Sequence, residues 1–164
     1  AMKVLRAESQ LPSHGHRNGW GMLGRSPALG MSFVAYQKLW RLAGIDHTHV
    51  NGIDNKFCEE NDSVIASARE CLTPMFEQPH PGCEIMPVFS SGQSARQAAA
   101  TYEALGSTDL IYAAGGGIVA HPGGPAAGVM ALRQAWAAAV AGVPVADAAK
   151  EHPELAAALG AFRK

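Results

Sequence analysis

Short apolar runs, punctuated by glycine, proline and asparagine, alternate along this chain with longer segments in which apolar residues recur every three or four positions. Residues 11–16 read as a first short strand. A glycine-rich loop over 17–30, which also holds Pro27, leads to Met31, Phe33, Val34, Tyr36, Leu39, Trp40 and Leu42 at helical spacing, and Gly44 stands where such a helix stops. The pattern then repeats: 45–50 is a second strand, 51–61 a polar loop, and about 63–72 a helix with Asp62 as its expected N-cap and Pro74 past its end. Residues 73–83, with Pro74, Pro79 and Pro81, are expected to be irregular. A third strand over 84–89 exits through Ser90–Gln93. Ser94 is placed to cap a helix running to Leu105, with Gly106 as its stop signal. Residues 110–114 are the fourth strand, Gly124 or Pro125 to Val140 the fourth main helix, and 145–164 two short helices split at Pro153. Residues 2–10 are a mixed segment, a helix end or a frayed terminus.

Four strands alternating with four helices predict an α/β fold in which parallel strands are joined by right-handed crossovers. The units are 11–44, 45–74, 84–106 and 109–141, with a helical tail over 142–164, all in a single domain of residues 1–164. Ala1, ahead of Met2, is read as an added residue.

Composition narrows the function classes. Hydrophobic residues make up 48% and charged residues 16%, with a formal net charge of -1, so a packed core is expected, disorder is not, and no basic face is available for nucleic acid. No apolar run approaches the ~20 residues of a membrane helix, and no signal-peptide pattern is present, so a soluble, cytoplasmic protein is expected. Cys58, Cys71 and Cys83 are odd in number and widely spaced, which argues for ordinary thiols rather than a disulfide framework or a Cys-x-x-Cys metal site.

In parallel α/β architectures functional residues gather where strands end and helices begin. The unusual polar clusters of this chain fall there: His14, His16 and Arg17; His47, His49 and Lys56; Ser90, Ser91 and Gly92; Gly115, Gly116 and Gly117. Residues two apart on a strand share a face, so each histidine pair is expected to place two imidazoles together. No Asp or Glu accompanies either pair at a matching position, and no metal ligand is assigned. The three glycines are expected to form a turn that uses positive φ and presents bare backbone N–H groups to an anion. The helix after His121–Pro125 adds its own N-terminal donors. Each residue also has a plain structural reading. A triple glycine makes tight turns, His14 and His47 suit buried hydrogen-bonded supports, His121 with Pro122 shapes a turn, and Lys56 alone is a solvated lysine. Met31, Phe33, Trp40 and Trp136 are core or interface by default.

Four motifs occur in a fixed order. They are Leu-Pro-Ser-His-Gly-His-Arg-Asn-Gly-Trp-Gly from Leu11; Asp-His-Thr-His from Asp46, with Lys56 seven residues beyond His49; Met-Pro-Val-Phe-Ser-Ser-Gly from Met86; and Gly-Gly-Gly-Ile-Val-Ala-His-Pro-Gly-Gly-Pro from Gly115. Over most of 11 to about 141 this series resembles the second half of the RuBisCO large-chain barrel, closer to the RuBisCO-like proteins than to the carboxylases. The resemblance implies four parallel β/α units corresponding to the second half of a TIM (β/α)8 barrel, plus C-terminal helices. It implies that His16 and Arg17 lie beside the substrate, that His49 contacts it, that Lys56 rides a mobile loop closing over it, and that Ser90 and Gly92 bind it. Gly115 and Gly116 would donate to one phosphate of a sugar. The expected catalytic residues are therefore His16, His49 and Lys56, and the expected substrate- or phosphate-binding residues Arg17, Ser90, Gly92, Gly115 and Gly116.

Enolisation chemistry also needs a base and a cation to hold the enediolate oxygens. In the resembled family the Mg2+ ligands and an acid–base lysine come from the first half of the barrel, which has no counterpart in these residues. Mg2+ is thus expected for the complete family enzyme and no cofactor for this chain alone. Trp20 stands where the carboxylases carry a histidine, Ser91 replaces a glycine, and Asn-Gly-Ile-Asp-Asn-Lys over 51–56 departs from the carboxylase lid, which argues against CO2 fixation. The expected role is the phosphate-binding and lid half of an enolase-, isomerase- or carboxylase/decarboxylase-type enzyme of phosphorylated sugars, inactive alone. The alternatives are a self-assembled half-barrel with weak isomerase chemistry and a non-catalytic anion-binding or structural module. Four parallel strands leave open edges, so a homodimer or a missing N-terminal half is expected to complete the sheet.

Overall fold

The computed structural model describes residues 1–162 except Arg25, Pro27, Leu29 and Cys58. The expected loop position of Pro27 and the ordinary-thiol reading of Cys58 lie outside the described residues. In chain order the elements are α1 (Met2–Glu8), β1 (His14–Gly15), α2 (Gly21–Gly24), α3 (Phe33–Leu42), β2 (His47–Asn51), α4 (Asn61–Cys71), β3 (Met86–Phe89), a 3-10 turn (Ala95–Gln97), α5 (Ala98–Leu105), β4 (Ile111–Tyr112), α6 (Gly115–Val119), α7 (Gly124–Val140), α8 (Val145–Ala148) and α9 (Pro153–Ala161). The strands form one parallel sheet in the order β1-β2-β3-β4. The edge strands β1 and β4 are two residues long, against five and four for β2 and β3. Each is shorter than the strand expected from the sequence, 11–16 and 110–114, because an edge strand finds ladder partners on one side only.

Two compact units divide the described residues, one comprising 1–50, 62–88 and 109–111, the other 51–61, 89–108 and 112–164. In the first, α3 and α4 are built around a polar spine. Arg41 is almost fully buried, and its guanidinium donates to the carbonyls of Cys83 and Glu70, at 2.6 Å each, and of Thr73. Buried Gln37 donates to the Ser67 carbonyl and accepts from the Cys71 thiol. These bonds reach carbonyls in the C-terminal half of α4, those of Ser67 and Glu70, and in the irregular segment beyond it, those of Thr73 and Cys83. Val64 and Ala68 complete the buried face of α4.

In the second unit the core is Ala95, Ala98, Ala131, Ala135, Leu155 and Ala158, with Leu132 and Trp136 packed against it. Small side chains let helices approach closely, and Gly128 takes this furthest, since a Cβ there would lie 2.4 Å from the Ile118 carbonyl oxygen. Ser94 caps the turn into α5 as the sequence suggests. Its hydroxyl accepts from Arg96 N–H, its own N–H donates to the Gln97 side chain, and Gly106 ends α5 at φ 69°.

Several expectations are corrected. Helix α4 begins at Asn61, so Asp62 sits inside the first turn, near the positive end of the helix, rather than at the cap. Asn61 is occupied instead in pairing with Asp54, accepting from its backbone N–H and donating to its carboxylate. Gly115, Gly116 and Gly117 open helix α6 and none has positive φ, so the expected glycine turn is a helical first turn. Of the residues read as core or interface, Phe33 is core, and Met31 and Trp40, 39% and 40% exposed, are not. His14 is exposed and His47 half-buried, so the reading of the pair as buried supports does not hold.

Candidate functional site

The first unit carries His14, His16, Arg17, His47 and His49. Strands β1 and β2 pair in parallel with His14 opposite His47 and Gly15 opposite Thr48. The pleat therefore gathers imidazoles from both strands: ring centroids are 5.7 Å apart for His14 and His47, 4.9 Å for His14 and His49, and 4.6 Å for His16 and His49. Gly15 permits this approach, since a Cβ at that position would lie 3.1 Å from the His47 carbonyl oxygen and from the Ile45 side chain.

Crowded imidazoles resist protonation. Burial first, then the neighbouring His16, His14 and Arg17, lower the pKa of His49 to about 4. His14 is lowered too, by partial burial and by His47 and His16. At neutral pH His49 is thus a neutral imidazole, able to accept or donate a hydrogen bond. Arg17 is held over an aromatic cradle, its guanidinium carbon 3.9 Å from the Phe33 ring centroid and 5.8 Å from that of Trp20, with the two rings edge to face at 5.2 Å.

The second unit carries Lys56, Ser90, Gly92, Gly115 and Gly116. Lys56 is exposed, and its backbone N–H donates to the Ser91 carbonyl at 3.0 Å. Residues 51–61 form a loop stapled by asparagines. Asn55 donates to the carbonyls of Gly52 and Glu59, Asn51 donates to the Glu59 carboxylate, and Asp54 and Asn61 bond reciprocally. Ser91 Oγ donates to the Asn51 carboxamide at 2.8 Å, and Ser90 N–H to the Asn51 carbonyl at 3.0 Å. Ser91 and Gly92 are both left-handed, with φ 69° and 95°. Glycine takes that conformation without cost, whereas Ser91 stores about 1 kcal/mol, offset by its bonds to the loop. Ser90 is buried and Gly92 is exposed beside Lys56.

The three glycines of α6 differ sharply. A Cβ on Gly117 would lie 2.8 Å from the Gln93 carbonyl oxygen and the Ser94 Cα, so packing requires glycine there. A Cβ on Gly115 or Gly116 would meet nothing within 4 Å. Both face open space, and the N–H groups of this first turn have no helical acceptor. His121, just past α6, is buried. It accepts from Gly123 N–H at Nδ1, and its Nε2 faces the Glu154 carbonyl at 2.9 Å, which fits the turn-shaping reading.

The structure thus brings His16 to His49 in one unit and Lys56 to Ser91 and Gly92 in the other. Sequence reasoning missed Asn51, Gln93 and Tyr112, which fix the loop. The spacing of Asn51, Asn55 and Asn61 was an available signal, because asparagine tolerates left-handed backbone and bonds locally. Mg2+ takes oxygen ligands in a near-octahedral shell. Imidazoles, a guanidinium and an amine do not supply that shell, and among the described residues no group of three or more His, Cys, Asp or Glu is arranged to hold a metal ion.

The catalytic-domain family of the ribulose bisphosphate carboxylase large chain matches residues 2–162. A 3-oxo-isoapionate-4-phosphate transcarboxylase/hydrolase of Xanthobacter autotrophicus is 56% identical over 162 residues, which are 99% of this chain and 39% of that protein. A 3-oxo-isoapionate-4-phosphate decarboxylase of Rhizobium etli is 51% identical over 98% of this chain and 38% of its own length. The crystal structure of a rubisco-like protein from Burkholderia fungorum superposes with a TM-score of 0.92 at 53% identity, covering 98% of this chain and 39% of that one. The chain therefore spans about two-fifths of the length of the relatives it matches. Its four parallel β/α units are those of the second half of the family's barrel.

Proposed function

This chain belongs to the ribulose bisphosphate carboxylase large-chain family, as a RuBisCO-like protein, and we propose that it forms the phosphate-binding and loop-bearing half of a cytoplasmic enzyme that decarboxylates a phosphorylated 3-oxo sugar acid through an enediolate. The observation that carries this reading is the contrast among the α6 glycines: Gly115 and Gly116 present an open, side-chain-free first turn, while Gly117 alone is spent on packing. An anion fits such a turn because its N–H groups have no acceptor within the helix and a Cβ at Gly115 or Gly116 would meet no atom within 4 Å.

In the proposed reaction the bond between the carboxylate carbon and the neighbouring carbon breaks, CO2 leaves, and the electron pair passes to the 3-oxo oxygen as an enediolate, whose carbon then takes up a proton. Arg17, Ser90, Gly92, Gly115 and Gly116 hold phosphate and substrate oxygens. Lys56 offsets the charge of the carboxylate and enediolate. His49, neutral at pH 7, exchanges protons with the substrate, assisted by His16. On this reading residues 1–164 bind phosphate without turnover, and catalysis requires the Mg2+-holding half, from further residues or from a second chain seated along the sheet edges.

Thermal unfolding with millimolar phosphate, sulfate or a sugar bisphosphate tests this. Ligand at 100 times its dissociation constant stabilises by about 2.7 kcal/mol, a shift of several degrees, and Gly116→Asp abolishes it. An anion-independent melting temperature returns the glycines to a purely structural role.

A further inference from the structure

Gln93 occupies a place that the motifs leave unexplained. It follows the Ser90–Gly92 turn and is 1% exposed, so its carboxamide is costly to bury without partners. Its Nε2 donates to the Ile53 carbonyl at 3.0 Å, in the middle of the Lys56 loop. Its Oε1 faces the Tyr112 hydroxyl at 3.3 Å, and that hydroxyl donates to the Ser94 carbonyl at 2.9 Å. A buried side chain thus ties the loop to β4 and to the cap of α5.

Gly52 is the other half of this device. Its φ is not left-handed, so its backbone does not demand glycine. Space does: a Cβ there would lie 2.2 Å from both Cδ and Nε2 of Gln93 and 2.6 Å from Oε1. The loop backbone rests directly on the carboxamide, which cannot move aside without breaking its bond to Ile53. Asn55, bonded to Gly52 and Glu59, and the Lys56 N–H bond to Ser91 close the loop around this point.

We infer that Gln93 is a positioning residue for the Lys56 loop: its carboxamide, received by the bare Gly52, fixes the loop in one conformation, so that Lys56 is presented from a preset support. The catalytic meaning of that placement rests on the function proposed above. The anchoring does not, because it can be read without any ligand.

Backbone amide exchange over 51–61 in the full-length protein tests the inference. Gln93→Met keeps the volume and removes both polar contacts, so exchange across the loop should rise about tenfold or more while residues 124–140 keep the wild-type rate. Gly52→Ala, which leaves Gln93 in place, should have the same local signature and carries the test should Gln93→Met not fold. In a Gln93→Ala background, where the carboxamide is gone, Gly52→Ala should add nothing. Unchanged loop exchange in Gln93→Met, or additive effects of Gly52→Ala and Gln93→Ala, overturns the inference. Neither outcome bears on phosphate binding at Gly115 and Gly116, which the thermal shift reads separately.

Discussion

The imidazoles of His16 and His49 lie with their centroids 4.6 Å apart, and that of His14 lies 4.9 Å from His49. Because His49 has a folded-state pKa of about 4, below its ordinary 6.5, the unfolded chain binds more protons between these values. Stability is therefore full above about pH 6.5 and falls as pH drops toward 4. His49→Gln should flatten this part of the profile, removing a loss on the order of 1 kcal/mol once solvent screening is allowed for. Melting temperatures at closely spaced pH values decide the matter, and an unchanged slope in the variant would remove His49 as its source.

The α6 glycines predict opposite behaviour for neighbouring positions. Gly117→Ala forces a methyl against Gln93 and Ser94 and should destabilise by roughly 1–3 kcal/mol. Gly116→Ala meets no atom within 4 Å and should leave stability unchanged or slightly raised. Urea titrations of the two variants compare them directly.

Arg41 is the polar keystone of the first unit. Arg41→Met keeps the length of the side chain but removes the guanidinium that donates to three carbonyls, of Glu70, Thr73 and Cys83, of which Glu70 retains the Thr73 N–H. A loss of roughly 3 kcal/mol or more is expected, visible as a lowered denaturation midpoint.

Thiol chemistry should separate two cysteines. Burial pushes the Cys71 thiol up to about 12, whereas Cys83 is solvent-exposed. At pH 8 an alkylating reagent should modify Cys83 and spare Cys71 until the protein unfolds, as peptide mapping by mass spectrometry reads out. Labelling of native Cys71 at a comparable rate would contradict the packing of α3 on α4.

Capping gives a smaller effect. Ser94→Ala removes the hydroxyl that accepts from Arg96 N–H and donates to the Gln97 side chain, and should cost about 1 kcal/mol in chemical denaturation.

Much of this was legible in the sequence because it depends on short-range rules. Ser94 and Gly106 bracket their helix by local hydrogen bonding and backbone preference, Pro153 divides the tail, and the period of two along 14–16 and 47–49 puts paired histidines on one face. Four ordered motifs also carried the family. What the sequence left open depended on which distant atoms meet. Three consecutive glycines are chemically identical, yet only Gly117 is filled by Ser94 and Gln93, a contact made across more than twenty residues of chain. Histidine spacing cannot say that β1 pairs with β2 in the register that crowds His14, His16 and His49, and hence that His49 loses its proton affinity. Nor can a glutamine after a turn announce that it supports a loop forty residues earlier. Periodicity and capping are properties of neighbouring residues, so the chain encodes them locally; burial, pKa and steric necessity belong to neighbours in space, and only the tertiary structure supplies those.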